Sequence, residues 1–306
     1  MFASLALALA AAQGFPITIP IQKTPRQIEQ PRAPIEIAGP EFAARCKDWD
    51  DWDKPAPPVR IHANTYLVGT CGIASILITG TAGHILIDGG TERGADLIAD
   101  NIGRLGFRLQ DVKILLHSHE HIDHVGGISR LQRLTGAQLF ASPAAAKVFE
   151  TGMDGADDPQ AGTEAPIDAA RVDRIIHDGE EVRLGNLSLT AIATPGHSPG
   201  ALSWNWGSCD GGVCRRIVYA DSLTSVSKDG YRFSDHPAYV QAFRASLDKL
   251  RKVECDILLT PHPSASKLID RMAGRAPLDD PNACRAYADA RGKDLDERLA
   301  KEATAK

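Results

Sequence analysis

Between positions 119 and 124 the chain reads His-Glu-His-Ile-Asp-His, so His119, His121, Asp123 and His124 fall within six residues. Residues two apart in an extended segment point the same way, which lets His119 and His121 share one ion. As the chain turns, Asp123 and His124 can face a second. Imidazole and carboxylate are zinc ligands, and catalytic sites use three protein ligands while keeping one position open for water. Surface polarity alone rarely produces such a cluster. The chemistry it suits is hydrolysis assisted by two metal ions.

Three ligands per ion require histidines from elsewhere. The chain has ten, and two have suitable framing. His197 lies in Thr194-Pro195-Gly196-His197-Ser198-Pro199-Gly200, a turn after a strand, where Gly and Pro fix the backbone tightly. His262 lies in Thr260-Pro261-His262-Pro263, directly after another strand. Both are strand-end loop positions, where sites are usually assembled. His62, His84, His177 and His236 lack that framing; His117, two before His119, reads as support rather than ligand.

The elements that must hold these residues alternate. Thr65-Tyr66-Leu67-Val68, Ser75-Ile76-Leu77-Ile78 and His84-Ile85-Leu86-Ile87-Asp88 are β-rich runs separated by Gly-containing breaks, which predicts antiparallel strands. Apolar residues spaced by three and four over 91–105 predict an amphipathic helix. Val112-Lys113-Ile114-Leu115-Leu116 is a short buried strand ending at the His-rich run. A helix over 127–135, a strand over 138–141 and a helix over 143–150 follow. The Gly/Asp/Pro-rich stretch 151–166 reads as a mobile loop. Strands are expected at 174–176, 187–193, 201–206, 216–219 and 257–259, with helices at 239–252 and 284–301. One α/β domain with two sheets between helical layers suits this pattern better than two separate domains.

The whole chain sets limits. Its 306 residues can bury a substantial core, and 43% hydrophobic with 24% charged residues is ordinary for a globular protein. A net charge of −5 and the lack of a basic stripe argue against nucleic acid as a partner. No internal apolar run reaches the roughly 18 residues of a membrane span. Residues 1–12, an apolar run closing on Ala10-Ala11-Ala12, resemble a secretory signal peptide, although no basic residue precedes Lys23. Residues 13–44, rich in Pro, Gln and Arg, read as an extended N-terminal arm. An even count of six cysteines with an export signal suggests disulfides. Cys209 and Cys214 flank a turn-forming tetrapeptide and can pair across it; the remaining four pair most simply as Cys46–Cys71 and Cys255–Cys284. Buried free thiols are the alternative, disfavoured outside the cytoplasm.

In order, His119-x-His121-x-Asp123-His124, Thr194-Pro195-Gly196-His197, Tyr219-Ala220-Asp221 and the late His262 resemble the signature of the metallo-β-lactamase superfamily. The resemblance implies an αββα sandwich: two central mixed β-sheets flanked by helices, with the site at one edge. Glyoxalase II, lactonases, ribonuclease Z and the zinc β-lactamases share that fold, so fold alone does not set the substrate. β-Lactamases of the first subclass use a Cys as a second-zinc ligand where this chain has Ser222. That difference, with Trp52-Asp53-Lys54-Pro55-Ala56-Pro57-Pro58, Ala220-Asp221-Ser222-Leu223-Thr224 and the cysteines, is most similar to disulfide-rich members of subclass B3. The likeness runs from about Cys46 to Lys301.

The resemblance then implies roles. His119, His121 and His197 would hold one zinc ion, and Asp123, His124 and His262 the other. A hydroxide shared by the two would attack the β-lactam carbonyl, with Asp123 orienting it. Ser222 and Thr224, hydroxyls two apart, would bind the substrate carboxylate; Tyr231 could donate to the developing oxyanion, and Gln160 could contact substrate. Asp221 bridges the metals in glyoxalase-like relatives but is not counted among the B3 ligands, which implies a structural role here. The expected protein is a periplasmic or secreted monomer that hydrolyses small-molecule β-lactams and confers resistance to them. The alternatives are a superfamily hydrolase of lactones, esters or thioesters, and a zinc-binding module without activity.

Overall fold

A computed structural model describes residues 38–304; the expected signal peptide and all of the expected arm up to residue 37 lie outside the described residues. The described chain opens on a short helix, α1 (Gly39–Arg45), with Pro40 in its first turn and Phe42 fully buried. Its first six residues belong to the stretch expected to be an extended arm. Proline fits the first helical turn, and the buried Phe42 anchors it to the core.

The first half of the chain builds one sheet. Strands β1 (Val59–His62), β2 (Thr65–Leu67), β3 (Ile76–Gly80) and β4 (Gly83–Ile87) pair antiparallel in sequence order. Helix α2 (Gly94–Arg104) then crosses to β5 (Val112–Leu116), which lies parallel to β4. Helices α3 (Ile122–Val125) and α4 (Ile128–Thr135) lead to β6 (Gln138–Ala141), and α5 (Pro143–Thr151) leads on to β7 (Val172–Ile175), both strands joining parallel.

A five-stranded sheet follows. Strands β8 (Glu181–Leu184), β9 (Leu187–Ala193), β10 (Leu202–Asp210) and β11 (Val213–Tyr219) form an antiparallel meander. Helix α6 (Pro237–Lys252) crosses to β12 (Ile257–Leu259), parallel to β11. Helices α7 (Leu268–Met272) and α8 (Ala283–Thr304) complete the described chain.

Alternation along the strands explains the layering. Ile85, Ile87, Ile114 and Leu116 face inward and meet Leu189, Trp204, Trp206, Ile217 and Tyr219 of the second sheet. Leu86, Leu115 and Leu139 point the other way, onto Ile98 and Ile102 of α2, Leu131 of α4 and Phe149 of α5. Val218 and Leu258 likewise meet Phe243 and Leu247 of α6 and Tyr287 of α8. Strands buried on both faces read as near-continuous apolar runs, which is how these segments stand in the sequence. The result is the expected αββα sandwich.

Three disulfides join Cys46 to Cys71, Cys209 to Cys214 and Cys255 to Cys284. Cys209 and Cys214 are register partners beside the tight turn Gly211-Gly212, where both residues have positive φ, 53° and 86°. A two-residue hairpin loop with both central residues in that region favours glycine, and it carries the β10–β11 pairing beyond the expected ends of both strands.

Candidate metal centre

The His-rich run begins three residues past the end of β5. His121 keeps extended dihedrals (φ −79°, ψ 152°) and caps α3, whose single turn swings Asp123 and His124 beside His119. Glu164 Oε2 accepts the Ile122 amide at 3.0 Å and so satisfies a free N–H at that helix start. His197 arrives from the loop after β9, and His262 from the loop after β12.

Close approach fixes the His197 loop. A side chain at Gly196 would place its Cβ 2.5 Å from the Phe243 ring, and one at Gly200 would sit 2.7 Å from the Ala145 amide and both Glu120 carboxylate oxygens. Glu120 accepts Ser198 Oγ at 2.6 Å and the Gly200 amide at 2.7 Å. The residue between His119 and His121 thereby fastens the loop that brings His197. Burial raises its carboxyl to about 7 despite the Ser198 hydroxyl.

Two donor groups result. One nitrogen each of His119, His121 and His197 come together within 4.8 Å, and so do donor atoms of His119, Asp123 and His124. His262 closes the second group: its Nε2 lies 3.3 Å from both Asp123 Oδ2 and His124 Nε2, and His124 Nε2 lies 3.0 Å from Asp123 Oδ2. All but His262 are buried; its side chain is 28% exposed and opens the group to solvent.

The outer nitrogens of His119, His121 and His197 have partners that point the inner ones at the donor groups. His119 Nδ1 donates to Asp221 Oδ1 at 2.8 Å, His121 Nε2 to Asp158 Oδ2 at 3.0 Å, and His197 Nδ1 to Thr224 Oγ1 at 2.8 Å. His124 Nδ1 faces Asp88 Oδ2 at 3.8 Å. His119 Nε2 is buried with no hydrogen-bond partner, a costly arrangement unless the lone pair serves a cation. These residues therefore fit a metal: the chemistry and the aim of the donors are those of an imidazole–carboxylate ion site.

Electrostatics agree. Burial and then the neighbouring imidazoles hold His119 and His197 well below the ordinary histidine range, and burial lowers His124, so these rings are neutral and carry free lone pairs. Burial alone would raise Asp123, but the His124 and His262 rings outweigh it and keep the carboxylate ionised. His121 is the exception. Burial pulls it down, yet Asp158 prevails and lifts it to about 9.

His117 turns away from the donors, accepting the Ser142 amide on Nε2 at 3.1 Å, and burial lowers it to about 3. Asp221 Oδ1 sits on the outer nitrogen of His119. Ser222 is buried, and its Oγ has no hydrogen-bond partner. Thr224 touches His197. Gln160 Nε2 lies 3.5 Å from His121 Nδ1 and 3.4 Å from His197 Nε2, at the donor group itself. Tyr231 stacks on His236, with centroids 4.6 Å apart. The 151–166 stretch, expected to be mobile, is pinned to the site: Asp158 is 1% exposed and holds His121, and Glu164 holds Ile122.

Four supporting acids escaped the sequence reading: Asp88, Glu120, Asp158 and Glu164. Asp88 takes a left-handed φ of 66° and accepts from the Ser118 amide, the Ser118 hydroxyl and Tyr219 OH. Its one sequence signal was its place before Gly89-Gly90 at a strand end. Nothing in residue type sets Asp158 apart from Asp154 or Asp157.

Such a site on an αββα sandwich defines a class. The sequence profile of the metallo-beta-lactamase superfamily matches residues 68–262, and the chain belongs to that superfamily. Among solved structures, it is 59% identical to the MIM-2 metallo-beta-lactamase, with a TM-score of 0.84 over 87% of this chain and 98% of that one. It is 42% identical to MEM-A1, a subclass B3 metallo-beta-lactamase isolated from a soil metagenome library, with a TM-score of 0.80 over 84% of this chain and 100% of that one. Curated relatives match over less. Ribonuclease TTHA0252 of Thermus thermophilus is 32% identical over 52% of this chain and 36% of its own length. A hydroxyacylglutathione hydrolase of Methylobacterium nodulans is 34% identical over 35% of this chain and 32% of its own length. The chain thus spans about a third of these two relatives.

Proposed function

We propose that the chain is a zinc-dependent β-lactamase of the B3 type that opens the β-lactam amide bond. The observation that carries this reading is the pair of hydroxyls beside a complete donor set. Thr224 Oγ1 accepts from His197 Nδ1, and a hydroxyl that accepts one bond keeps its own proton to donate. Ser222 Oγ, two residues before it, also has its donor free. Thr224 is half-buried and Ser222 buried, and we assign this hydroxyl pair, the substrate shelf, to the carboxylate that β-lactams carry beside the ring nitrogen. The likeness to MIM-2 over 98% of that chain supports the same substrate class.

In this reading His119, His121 and His197 hold one zinc ion and Asp123, His124 and His262 the other. When bound, the ions supply a Lewis acid for the carbonyl oxygen and a water acidified to a pKa of about 7. The protein does the rest. Asp123 would help hold the second ion and orient the attacking water. Asp221, Asp158 and Thr224 fix the ring orientations. Ser222 and Thr224 hold the substrate carboxylate, with Gln160 and Tyr231 on the loops beside it. We further propose that residues 1–12 are removed on export, that 13–44 form an arm, and that 45–306 act as one monomeric domain in the periplasm or outside the cell, where the enzyme confers β-lactam resistance. The disulfides support an oxidising compartment. No helix among the described residues is long and apolar enough to cross a membrane.

A thioester or lactone hydrolase is the second reading, favoured by the likeness to hydroxyacylglutathione hydrolases. A bridging Asp221 would suit it, and Asp221 Oδ2 is buried without a partner, but Oδ1 is engaged with the outer nitrogen of His119 and neither donor group within 4.8 Å includes Asp221. The deciding experiment compares zinc-loaded protein on a chromogenic cephalosporin, a carbapenem, a glutathione thioester and a lactone, with and without chelator. Chelator-sensitive β-lactam turnover is expected. Turnover confined to the thioester or lactone would overturn the reading.

A further inference from the structure

We propose that Arg298, on the C-terminal helix, is the positioning residue that sets the substrate shelf and, through it, the Gln160 loop. The proposal rests on the β-lactamase reading of the same site. Residues 221–236 carry Ser222, Thr224 and Tyr231 but contain no regular structure beyond one 3-10 turn, Phe233–Asp235, and Leu223 has a left-handed φ of 43°. Such a segment does not hold two hydroxyls in register unaided. Its order comes from α8.

Tyr287 OH fastens the start of the segment, donating to the Asp221 carbonyl at 2.8 Å and the Ser222 carbonyl at 2.5 Å. Arg298 gathers the remainder. Its Nη1 donates to the Ser225 carbonyl at 3.4 Å, and its Nη2 to Ser227 Oγ at 2.8 Å and the Tyr231 carbonyl at 3.0 Å. Its Nε donates to Glu302 Oε1 at 2.7 Å, and its guanidinium lies 5.5 Å from the Phe233 ring centre. Glu302, one turn on, accepts the Phe233 amide at 3.1 Å and the Ser234 amide at 2.8 Å. A planar fork with five donors can span three chain positions at once, which a lysine ammonium cannot.

The tie continues past the shelf. Lys228 donates its amide to the Pro159 carbonyl at 3.0 Å and its Nζ to the Ala161 carbonyl at 3.2 Å, on either side of Gln160. Asp158, next in line, holds His121. One arginine outside the donor set therefore organises both loops over it. Arg298 touches neither metal donors nor the shelf hydroxyls, so its effect is on where substrate is held.

The test is Arg298→Met and Arg298→Lys in zinc-loaded protein. Zinc content and circular dichroism should match the parent. KM for a carboxylate-bearing cephalosporin should rise about tenfold in Arg298→Met, with kcat within about twofold, and Arg298→Lys should fall between. Backbone amides at 225–234 and 160–161 should exchange faster with solvent, a readout independent of turnover. Should Arg298→Met not fold, Glu302→Gln, which weakens the same anchor, is read the same way. Parental KM and parental exchange in an active enzyme would overturn the positioning role alone. Parental protein that turns over no β-lactam would overturn the substrate reading, and this proposal with it.

Discussion

Replacing Asp158 with Asn probes how the protein aims a donor. Asp158 is 1% exposed and accepts from His121 Nε2 at 3.0 Å, so the bond lies out of water and joins the imidazole to a carboxyl group. Hydrogen bonds to charged groups contribute about 1.5–3 kcal/mol and neutral ones about 0.5–1.5, which makes the expected loss roughly 1–1.5 kcal/mol. That corresponds to zinc binding about tenfold weaker at the group holding His121, within the roughly 10–100-fold range for losing an outer partner of a metal-bound histidine. Asp158→Ala should reach the upper end, because it also removes the acceptor that the Gln160 amide finds on Asp158 Oδ1 at 2.6 Å. Competition against a chromogenic chelator measures both affinities. Affinities within twofold of the parent at both ions would show that Asp158 does not orient His121, and the assignment of its inner nitrogen as a donor would fall.

Three further outcomes are expected. Asp123→Ala should abolish turnover while leaving the circular dichroism spectrum intact, because it removes a donor and the orienting oxygen together; retained turnover contradicts that role. Gly200→Ala would put a methyl 2.7 Å from the Glu120 oxygens and the Ala145 amide, so the His197 loop should shift and kcat/KM fall by about tenfold or more, read by steady-state kinetics. Burial would raise the Glu302 carboxyl, but the Ser234 and Phe233 amides and Arg298 outweigh it and bring it from 4.5 to about 2. A depressed carboxyl stabilises the fold above its unfolded pKa and loses that contribution as pH falls through the folded one. Melting temperature should therefore decline between pH 4.5 and about 2, and Glu302→Gln should flatten that decline while lowering the value at pH 7.

The layered fold and the six candidate donors were legible because the signal for each is local. Donors stand at strand ends, next to apolar runs such as 112–116 and 257–259, and turn residues around His197 and His262 mark the loops. Short elements were harder. Strand β1 interleaves Val59 and Ile61 with Arg60 and His62, and β8 buries only Val182, so neither stands out as an apolar run, and α1 hides in a proline-rich stretch where only Phe42 signals burial. Of the supporting partners, Asp221 was marked only through the family resemblance, and the pairings themselves were not legible. Asp158 lies 37 residues from His121, and Asp221 lies 102 from His119, so only the folded chain pairs them. For the same reason a Gly/Asp/Pro-rich composition suggested mobility where a buried bond from Asp158 and a part-buried one from Glu164 impose order.

In the proposed mechanism two ions act together on a β-lactam. Zinc-free protein titrated with zinc, with bound metal and carbapenem hydrolysis followed in the same samples, tests it most directly. Hydrolysis should climb with occupancy and level off at two ions per chain. Protein that binds two ions and leaves the carbapenem intact, or reaches full rate with one, would contradict it.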